Sequence, residues 1–487
     1  MKKIIKSIIT LIFLALSIFL IFKVNKLGLV PNKYLIIGAI TLIVLNAVAS
    51  TLLFCKSLIP KIFSVIIYII IAIVLGVGIH LSTTVDNFLD NSLDNPTNTI
   101  VLKYYVLSKT EMEPDSLNNS NVYYFDNKIY TDRAIKALKE KYNVLLFTTT
   151  SVQDLFNYDL ILIDSASLNL IKEETTLDIS EYKSIYEFTV EYDQEEIDKI
   201  IEENNSFIPE EEQEGQEEIV KKKEITNDND HYFNIYIGAY DFTNRTDLNK
   251  IVTVNTKTNE ILITNIHRFT YLDVPGYGIK NRLSDIALYG IQNNINALEY
   301  KLNIKIDYYL IAKPDGLVTL IDDIGGIEYC SDMAYTTDHA KVIGTYDDTL
   351  GDHVEVKEGC QHLDGIETLT VARERLAFKG GAWKRDENTT AIMLDIFEQM
   401  KKPSNITRYS TILNDLSGMY NTTVSRNVLT RSIKQLLDNG WSIKVQTLRG
   451  KNTTGKIGYF DRVDAAIVNV YDDSLEECIK NIKALDK

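Results

Sequence analysis

Three apolar stretches in the first 82 residues constrain this chain more than any other feature. They run Ser7 to Phe22, Tyr34 to Cys55 and Ile62 to Leu81. A helix needs about 20 apolar residues to cross a bilayer. The second and third stretches meet that length. The first is shorter, but Lys6 and Lys23 at its ends can extend to the two interfaces. Alone it would read as a signal peptide, because Met1-Lys2-Lys3 is a charged leader. No small-x-small cleavage pattern follows it and two more spans come after. Residues 1–82 are therefore expected to form a three-helix membrane anchor.

Lysines set the expected orientation. Lys2, Lys3 and Lys6 precede the first span, and Lys56 and Lys61 lie between the second and third. Lys23, Lys26 and Lys33 lie between the first and second. An N-in arrangement puts five lysines inside and three outside, which the positive-inside rule favours modestly. Everything after Leu81 is then expected outside the cytoplasm.

The chain has 487 residues, so about 400 remain for domains with real cores. The net charge is −16, which argues against nucleic acid, since that partner needs a basic footprint. Heavy use of Ile, Asn, Lys and Tyr points to an AT-rich bacterial genome. Of four cysteines, Cys55 is in the second span and Cys330, Cys360 and Cys478 follow later, with no C-x-x-C pair to suggest zinc. Outside the cell a Cys330–Cys360 disulfide is allowed, and three buried thiols is the alternative.

Residues 95–194 read as an accessory α/β module. Strand-like "TIVLKYYVL", helix-like "DRAIKALKEKY" and strand-like "NVLLFTT" succeed one another, then "SVQDLFNY" leads into "DLILIDSASL". No phosphate loop or His/Cys cluster occurs there. Residues 195–230 are a charged linker, too poor in Gly and alternating Asp/Asn for a calcium loop. From Tyr232 a buried strand, "YFNIYIGAY", delivers Asp241. Strands "KIVTVN" and "EILITNI" follow, the second ending near Arg268. Leu288, Ile291, Ile295, Leu298 and Leu302 form one stripe of a helix, which is ordinary core by default. "PDGLVTLIDDIGG" has Pro at its start and glycines at its end, as helices do. "DGIETLTVARERL" is read as a helix carrying Arg373 and Arg375 towards its end, and Arg385 precedes another helix. The expected fold is a mixed α/β sheet sandwiched by helices, with charged residues at strand and helix ends, where ligands bind.

Those charged residues are Asp241, Arg245, Asp247, Arg268, Arg373, Arg375 and Arg385. Arginine is always charged and forks onto phosphate oxygens. Two nearby carboxylates are a usual anchor for Mg²⁺ on a diphosphate. If these residues meet in space, they suit a pyrophosphate. Singly each has a plainer reading: Arg-x-Arg on a solvated helix, or aspartates in turns and caps. His267 and His362 read as packing or hydrogen-bonding residues. Trp383 reads equally as packing or as a cover for a sugar ring.

The segment from Tyr232 to about Met400 resembles the LytR-CpsA-Psr family of cell-envelope proteins. "FNIYIGAYD" is similar to that family's strand ending in Gly-x-Asp, with Ala239 for the glycine. "RTDLNKIVTVNTKTNEILITNIHR" resembles R-S-D-x-N-x-I-x-T-V-N-P-K-T-K followed by I-P-R. "NIKIDYYL" and "LIDDIGGIEYCSD" also correspond, and "KEGCQHLDGIETLTVARERLAF" matches K-G-x-x-H-L-[ND]-G and A-R-E-R. Three spans and an accessory module resemble the streptococcal-type members, as does the tail after Ser404. The resemblance implies a catalytic domain at 231–403, with residues 404–487 packing on it or extending it.

It also implies a function. Such proteins transfer wall teichoic acid or capsular polysaccharide from a polyprenyl-diphosphate carrier in the membrane to peptidoglycan. By position, Asp241 and Asp247 would hold Mg²⁺ (or Mn²⁺). Arg245, Arg268, Arg373, Arg375 and Arg385 would grip the diphosphate, with Asp241, Asp247, Arg268, Arg373 and Arg375 as the catalytic set. The apolar helix stripe would line a lipid tunnel. A multi-pass protein of a Gram-positive cell membrane is implied, its soluble part extracellular. Rival readings are a non-catalytic scaffold for lipid-linked polymer and a membrane-bound regulator of transcription, the latter without a helix-turn-helix or basic patch to support it. The chain departs from the pattern in places. Pro-Arg-Asp reads His267-Arg268-Phe269. G-D-x-Q-R-G-x-N-Q reads Gly381 to Thr389, keeping Arg385 and Asn388. K-[LI]-[TN]-[HA]-A reads Arg282 to Ile286.

Overall fold

The computed structural model describes residues 2–486 apart from 93–98, 127–130, 150, 175–178, 242, 276–278, 339–352 and 458–462, most of 194–230, and scattered positions between 403 and 417. The expected linker at 195–230 lies almost wholly outside the described residues. Three helices open the chain: α1 (Lys2–Leu27), α2 (Asn32–Phe54) and α3 (Leu58–Ser92). All three are long and apolar enough to cross a membrane, over Lys3–Leu27, Asn32–Phe54 and Leu58–Asn87. Leu20, Leu42, Ala49, Tyr68, Ile71 and Leu75 pack between them, while most other apolar side chains face outward, as lipid-facing residues do.

The segment expected to be an accessory module follows: β1 (Thr99–Ser108), β2 (Asn121–Phe125), α4 (Thr131–Lys141), β3 (Leu145–Thr149), β4 (Leu160–Asp164), α5 (Ser165–Glu174) and β5 (Lys183–Asp193). Its strands form one mixed sheet in the order β3-β2-β4-β1-β5. β4 is buried along its whole length, which suits its central place and its unbroken apolar run.

The second sheet has six strands. β6 (Tyr232–Tyr240), β7 (Thr246–Asn255) and β8 (Glu260–Ile266) are an antiparallel meander. After them come the hairpin β9 (Tyr271–Val274) and β10 (Ile279–Arg282), the short turn α6 (Leu283–Ile286), α7 (Ile291–Leu302), β11 (Tyr308–Ala312) and α8 (Pro314–Ile324). Next are β12 (Ile327–Ser331), β13 (Tyr335–Asp338), β14 (His353–Val356), β15 (Gly359–Leu363), α9 (Gly365–Arg373) and α10 (Ala382–Met400). The chain closes with β16 (Tyr420–Thr422), α11 (Arg426–Asn439), β17 (Ser442–Leu448), β18 (Gly450–Ile457), β19 (Val463–Val470) and α12 (Asp472–Ala484). The strand order is β16-β11-β6-β7-β8-β17. Two strands of the C-terminal part thus form the two edges of this sheet.

Alternation along β6, β7 and β8 explains the layers. Tyr232, Tyr236, Ile251, Leu262 and Ile266 point to a core shared with Ile295, Leu298 and Leu302 of α7 and Ile482 of α12. Phe233, Val252, Val254 and Ile263 point the other way, to Met393 and Leu394 of α10 and Val428 of α11. The sheet is therefore sandwiched by helices.

Two helices differ from the sequence reading. The long helix expected through Leu288 breaks at Gly290, whose φ of 102° is closed to most side chains, so α7 starts at Ile291. The stripe keeps Ile295, Leu298 and Leu302 in the core. α9 ends at Arg373, its cap Glu374 being extended, so Arg375 lies beyond the helix rather than on it. Cys330 and Cys360 face each other across the β12–β15 pair and form a disulfide, while Cys478 is a buried thiol and Cys55 is exposed in the anchor.

Candidate functional site

β6, β7 and β8 bring their charged residues to one end of the sheet, where β6 and β8 finish and β7 starts. β6 ends into Asp241, β7 begins next to Asp247, and β8 ends into His267 and Arg268. The pairing register slips there: Ala239 faces Leu248, but Tyr240 faces Thr246. Asp247 is the extra residue of that bulge. Bulges re-aim side chains at such sites.

Asp247 gathers three arginines. Arg268 Nη1 donates to its Oδ1. Arg373 Nη2 and Arg385 Nη1 stand 3.7 and 3.8 Å from Oδ2. Arg385 Nη2 also donates to the Asp247 carbonyl at 2.9 Å. Burial works to raise this carboxyl, but Arg268, Arg385 and Arg373 outweigh it and hold it well below the usual carboxylate range. Three guanidiniums around one carboxylate leave an excess of positive charge, which suits an anion with several oxygens. Arg375, half-buried, adds its charge near His267.

Asp241 and Arg245 belong to a neighbouring group. Asp241 Oδ1 accepts from Thr243 N and Thr243 Oγ1, both at 2.7 Å, and from Arg245 N at 3.0 Å. These bonds close the turn in which Asn244 is left-handed, at φ 62°. Arg245 Nε reaches Asp241 Oδ2 at 3.3 Å, and its Nη1 lies 3.9 Å from Asp285 Oδ1. The structure thus puts Arg245 beside Asp241 and Asp285. Of the five expected arginines, Arg268, Arg373 and Arg385 pair with Asp247.

Sequence reasoning missed the residues that join the two groups. Arg282 is fully buried and its Nε donates to Asp285 Oδ2 at 2.7 Å. The ring of Phe269 lies 4.5 Å from the guanidinium carbons of both Arg268 and Arg282. An aromatic face attracts cations, so the ring that replaces the pattern's acid bridges both groups. Burial works to raise Asp285, but Arg282 and Arg245 outweigh it and lower it. The i,i+3 pair Arg282–Asp285 was visible in the sequence as a signal.

Lys250 was also missed. It is fully buried, and its Nζ donates to Asn265 Oδ1 at 2.6 Å, Thr390 Oγ1 at 2.8 Å and the Asp386 carbonyl at 3.2 Å. Burial pushes this amine down to about 8. Asp386 Oδ1 lies 3.5 Å from Arg385 Nη2, while Oδ2 has no hydrogen-bond partner among the described residues. Burial pushes this carboxyl up to about 6 against the pull of Arg385 and Lys250.

His267 packs rather than binds. Its Nδ1 accepts from Phe269 N at 3.0 Å, and its ring lies 4.6 Å from Trp383. Burial, then Arg385, Arg268 and Arg375, push the imidazole down to about 3, so it is neutral at physiological pH. Trp383 takes its packing role here, against His267. His362 is exposed on β15.

The carboxylates suit a hard cation in part. Asp247 Oδ2 has no donor within hydrogen-bond distance among the described residues, and Asp241 Oδ2 has one long bond. An ion of Mg²⁺ character would take one oxygen from each and would share Asp247 Oδ2 with Arg373 and Arg385. The other cluster of metal-ligand types, Glu328, Cys330 and Cys360, holds none, because its sulfurs are bonded to each other.

Comparison with known proteins identifies relatives of this chain. A family model described as the LytR_cpsA_psr family matches residues 171–476, from α5 into α12. A polyisoprenyl-teichoic acid--peptidoglycan teichoic acid transferase TagU of Enterococcus faecalis is 24% identical over 252 residues, 50% of this chain and 78% of that protein. The protein of that name from Bacillus anthracis is 24% identical over 226 residues, 46% of this chain and 70% of its own. The crystal structure of B. subtilis TagV covers 52% of this chain and 98% of that one, at 21% identity and a TM-score of 0.43. With more than half of its length matched by the family model, the chain belongs to the LytR_cpsA_psr family.

Proposed function

We propose that this chain is a membrane-anchored phosphotransferase. It moves a glycopolymer, a wall teichoic acid or a capsular polysaccharide, from a polyprenyl-diphosphate carrier to peptidoglycan on the outer side of the membrane. The observation that carries this reading is the convergence of Arg268, Arg373 and Arg385 on Asp247, with Arg375 just past the end of α9. The relatives named as teichoic acid transferases support the same chemistry.

In this reading the diphosphate lies against the guanidiniums. An acceptor sugar hydroxyl attacks the phosphorus that carries the polymer, and the bond to the polyprenyl phosphate oxygen breaks. Charge builds on the phosphoryl oxygens as this happens. Fixed guanidiniums stabilise it without reorganising, because their partners already hold them. Asp247, held ionised by three arginines, is a weak proton acceptor. Asp241, whose Oδ2 has one long hydrogen bond, takes the hydroxyl proton on the lone pair that a bound ion would leave open. Asp241 and Asp247 would hold Mg²⁺, which when bound neutralises phosphate charge.

Two arms of one assay test this. Arg373→Ala with Arg375→Ala removes two guanidiniums, each worth about 1.5–3 kcal/mol to a phosphate. Transfer should fall more than about a hundredfold, with unchanged circular dichroism. Near-normal transfer would sink the assignment. Chelator should stop transfer and Mg²⁺ restore it. Asp241→Asn should cost more than Asp247→Asn, and indifference to chelator removes the metal.

One observation favours a second reading, a non-catalytic scaffold that binds lipid-linked polymer. Phe269 fills the place of an acid between Arg268 and Arg282. Carrier binding without transfer in the same assay would select it.

A further inference from the structure

The soluble part makes a set of contacts with its own anchor, away from the arginine site. Arg426, at the start of α11, pairs with Asp86 of α3. Lys33 Nζ, at the start of α2, lies 2.7 Å from Asp438 Oδ1 and donates to the Asp438 carbonyl at 2.9 Å. Lys434 Nζ donates to Asn32 Oδ1 at 3.1 Å. Between these points α11 turns Thr430 towards Gly28, where an added Cβ would lie 3.8 Å from the Thr430 Cβ.

These anchor residues share one level. The spans run Lys3–Leu27, Asn32–Phe54 and Leu58–Asn87, so Gly28, Asn32, Lys33 and Asp86 all stand where apolar helix gives way to polar surface. α11 therefore lies across the membrane-facing end of the soluble part, at the height of the lipid headgroups. Its Val428 packs into the same core as Met393 and Leu394 of α10. The first turn of α10 carries Arg385, nine residues before Leu394 and so about 13 Å along the helix axis. Two packed helices thus connect the bilayer surface to the arginine cluster.

We infer that α11 is a docking helix whose partner is the protein's own three-helix anchor, and that it sets the arginine site at a fixed height above the bilayer. A loose tether would deliver the site to any height. A carrier lipid enters the site from the bilayer, so a site held at one height above the surface meets each diphosphate at the same place. The Lys33–Asp438 pair is exposed and weak alone. Arg426 and Asp86 have side chains only 26% and 23% exposed, so this pair is the firmest charged contact of the dock. The role of the fixed height rests on the proposed function; the dock itself does not.

Full-length protein in liposomes tests both parts. Gly28→Cys with Thr430→Cys, in a Cys55→Ser background, places two thiols at a separation that fits a disulfide. Mild oxidation should cross-link most molecules, seen as joined fragments after proteolysis. Gly28 has φ +73°, which a cysteine tolerates poorly, so a charge exchange provides a second arm. Arg426→Asp should raise KM for a long-chain polyprenyl-diphosphate carrier at least fivefold. It should leave kcat unchanged, and also the rate on a short, water-soluble diphosphate analogue. Arg426→Asp with Asp86→Arg should restore KM. A KM that does not move, equal loss on both substrates, or no rescue by the exchange overturns the inference. Folded protein that never cross-links does so too. Wild type that binds no carrier overturns the proposed function instead, and the cross-link still reports on the dock.

Discussion

His267 stands where the family pattern has proline, and its burial makes it a test of the site's electrostatics. Its imidazole is pushed down to about 3 from an ordinary 6.5. Between those values the unfolded chain takes a proton that the folded chain refuses. Stability from this residue is therefore present above about pH 6.5 and is lost as pH falls towards 3, by up to about 1.4 kcal/mol per unit. Asp386 runs the other way: pushed up to about 6, it keeps its proton in the folded chain between about 4 and 6, so its contribution falls as pH rises through that window. His267→Asn preserves an acceptor for the Phe269 N–H and removes the titration. The melting temperature of this variant relative to wild type should climb as pH is lowered from 7 to 4.5. Parallel curves would exclude His267 from the acid response. Sequence made Asp247, Arg268, Arg373 and Arg385 legible because charged residues stood out at the ends of apolar runs. It hid Lys250, which reads as a solvent-facing lysine in "NKIVTVN". Its burial depends on Thr390, 140 residues away, and no local pattern records that contact.

Among the elements, α9 matters most to the site, because it is short and its last residue is Arg373. Its start is firmly built. Asp364 Oδ1 accepts from Glu367 N at 2.8 Å, and Glu367 Oε2 accepts from Asp364 N at 2.9 Å, a reciprocal capping box. Glu374 ends the helix with its backbone extended, and its Oε1 accepts from Ala377 N at 2.9 Å. Two arginines two positions apart diverge on a continuous helix. Ending the helix between them allows Arg373 and Arg375 to serve one ligand. The start of α9 was readable from Asp364-Gly365-Ile366-Glu367. Its end was expected near both arginines rather than between them, since Arg373, Glu374, Arg375 and Leu376 are all good helix formers. The break at Gly290 was likewise hidden, because the apolar spacing continues across it. Asp364→Ala should cost about 1 kcal/mol. In a cooperative unit of about 150–250 residues that lowers the melting temperature by about 2–4 °C. Transfer should fall severalfold at most, because Arg373 is loosened but kept. An unchanged melting temperature would show that packing against α8 and α10 holds α9 without its cap.

For the whole molecule, three features bear on which side of the membrane receives the soluble part. Three spans put the chain after α3 on the side opposite the N-terminus. Five lysines flank the ends that would then be inside and three flank those outside, a modest bias that sequence alone provided. The structure adds the Cys330–Cys360 disulfide, which joins β12 to β15 beside the helices that carry the arginines. Disulfides persist in oxidising compartments and are rare in the bacterial cytosol. The same side holds the contacts between α11 and the α1–α2 turn, so a soluble part outside requires Gly28 to Lys33 to be outside as well. Protease added to intact protoplasts should therefore degrade the chain after Leu81 and leave a fragment containing the α2–α3 turn. The released domain should migrate differently with and without reductant if residues 330 and 360 remain joined after cleavage between them. Full protection of the soluble part in intact protoplasts, with digestion only after lysis, would reverse the orientation. It would also leave peptidoglycan out of reach of the arginine site.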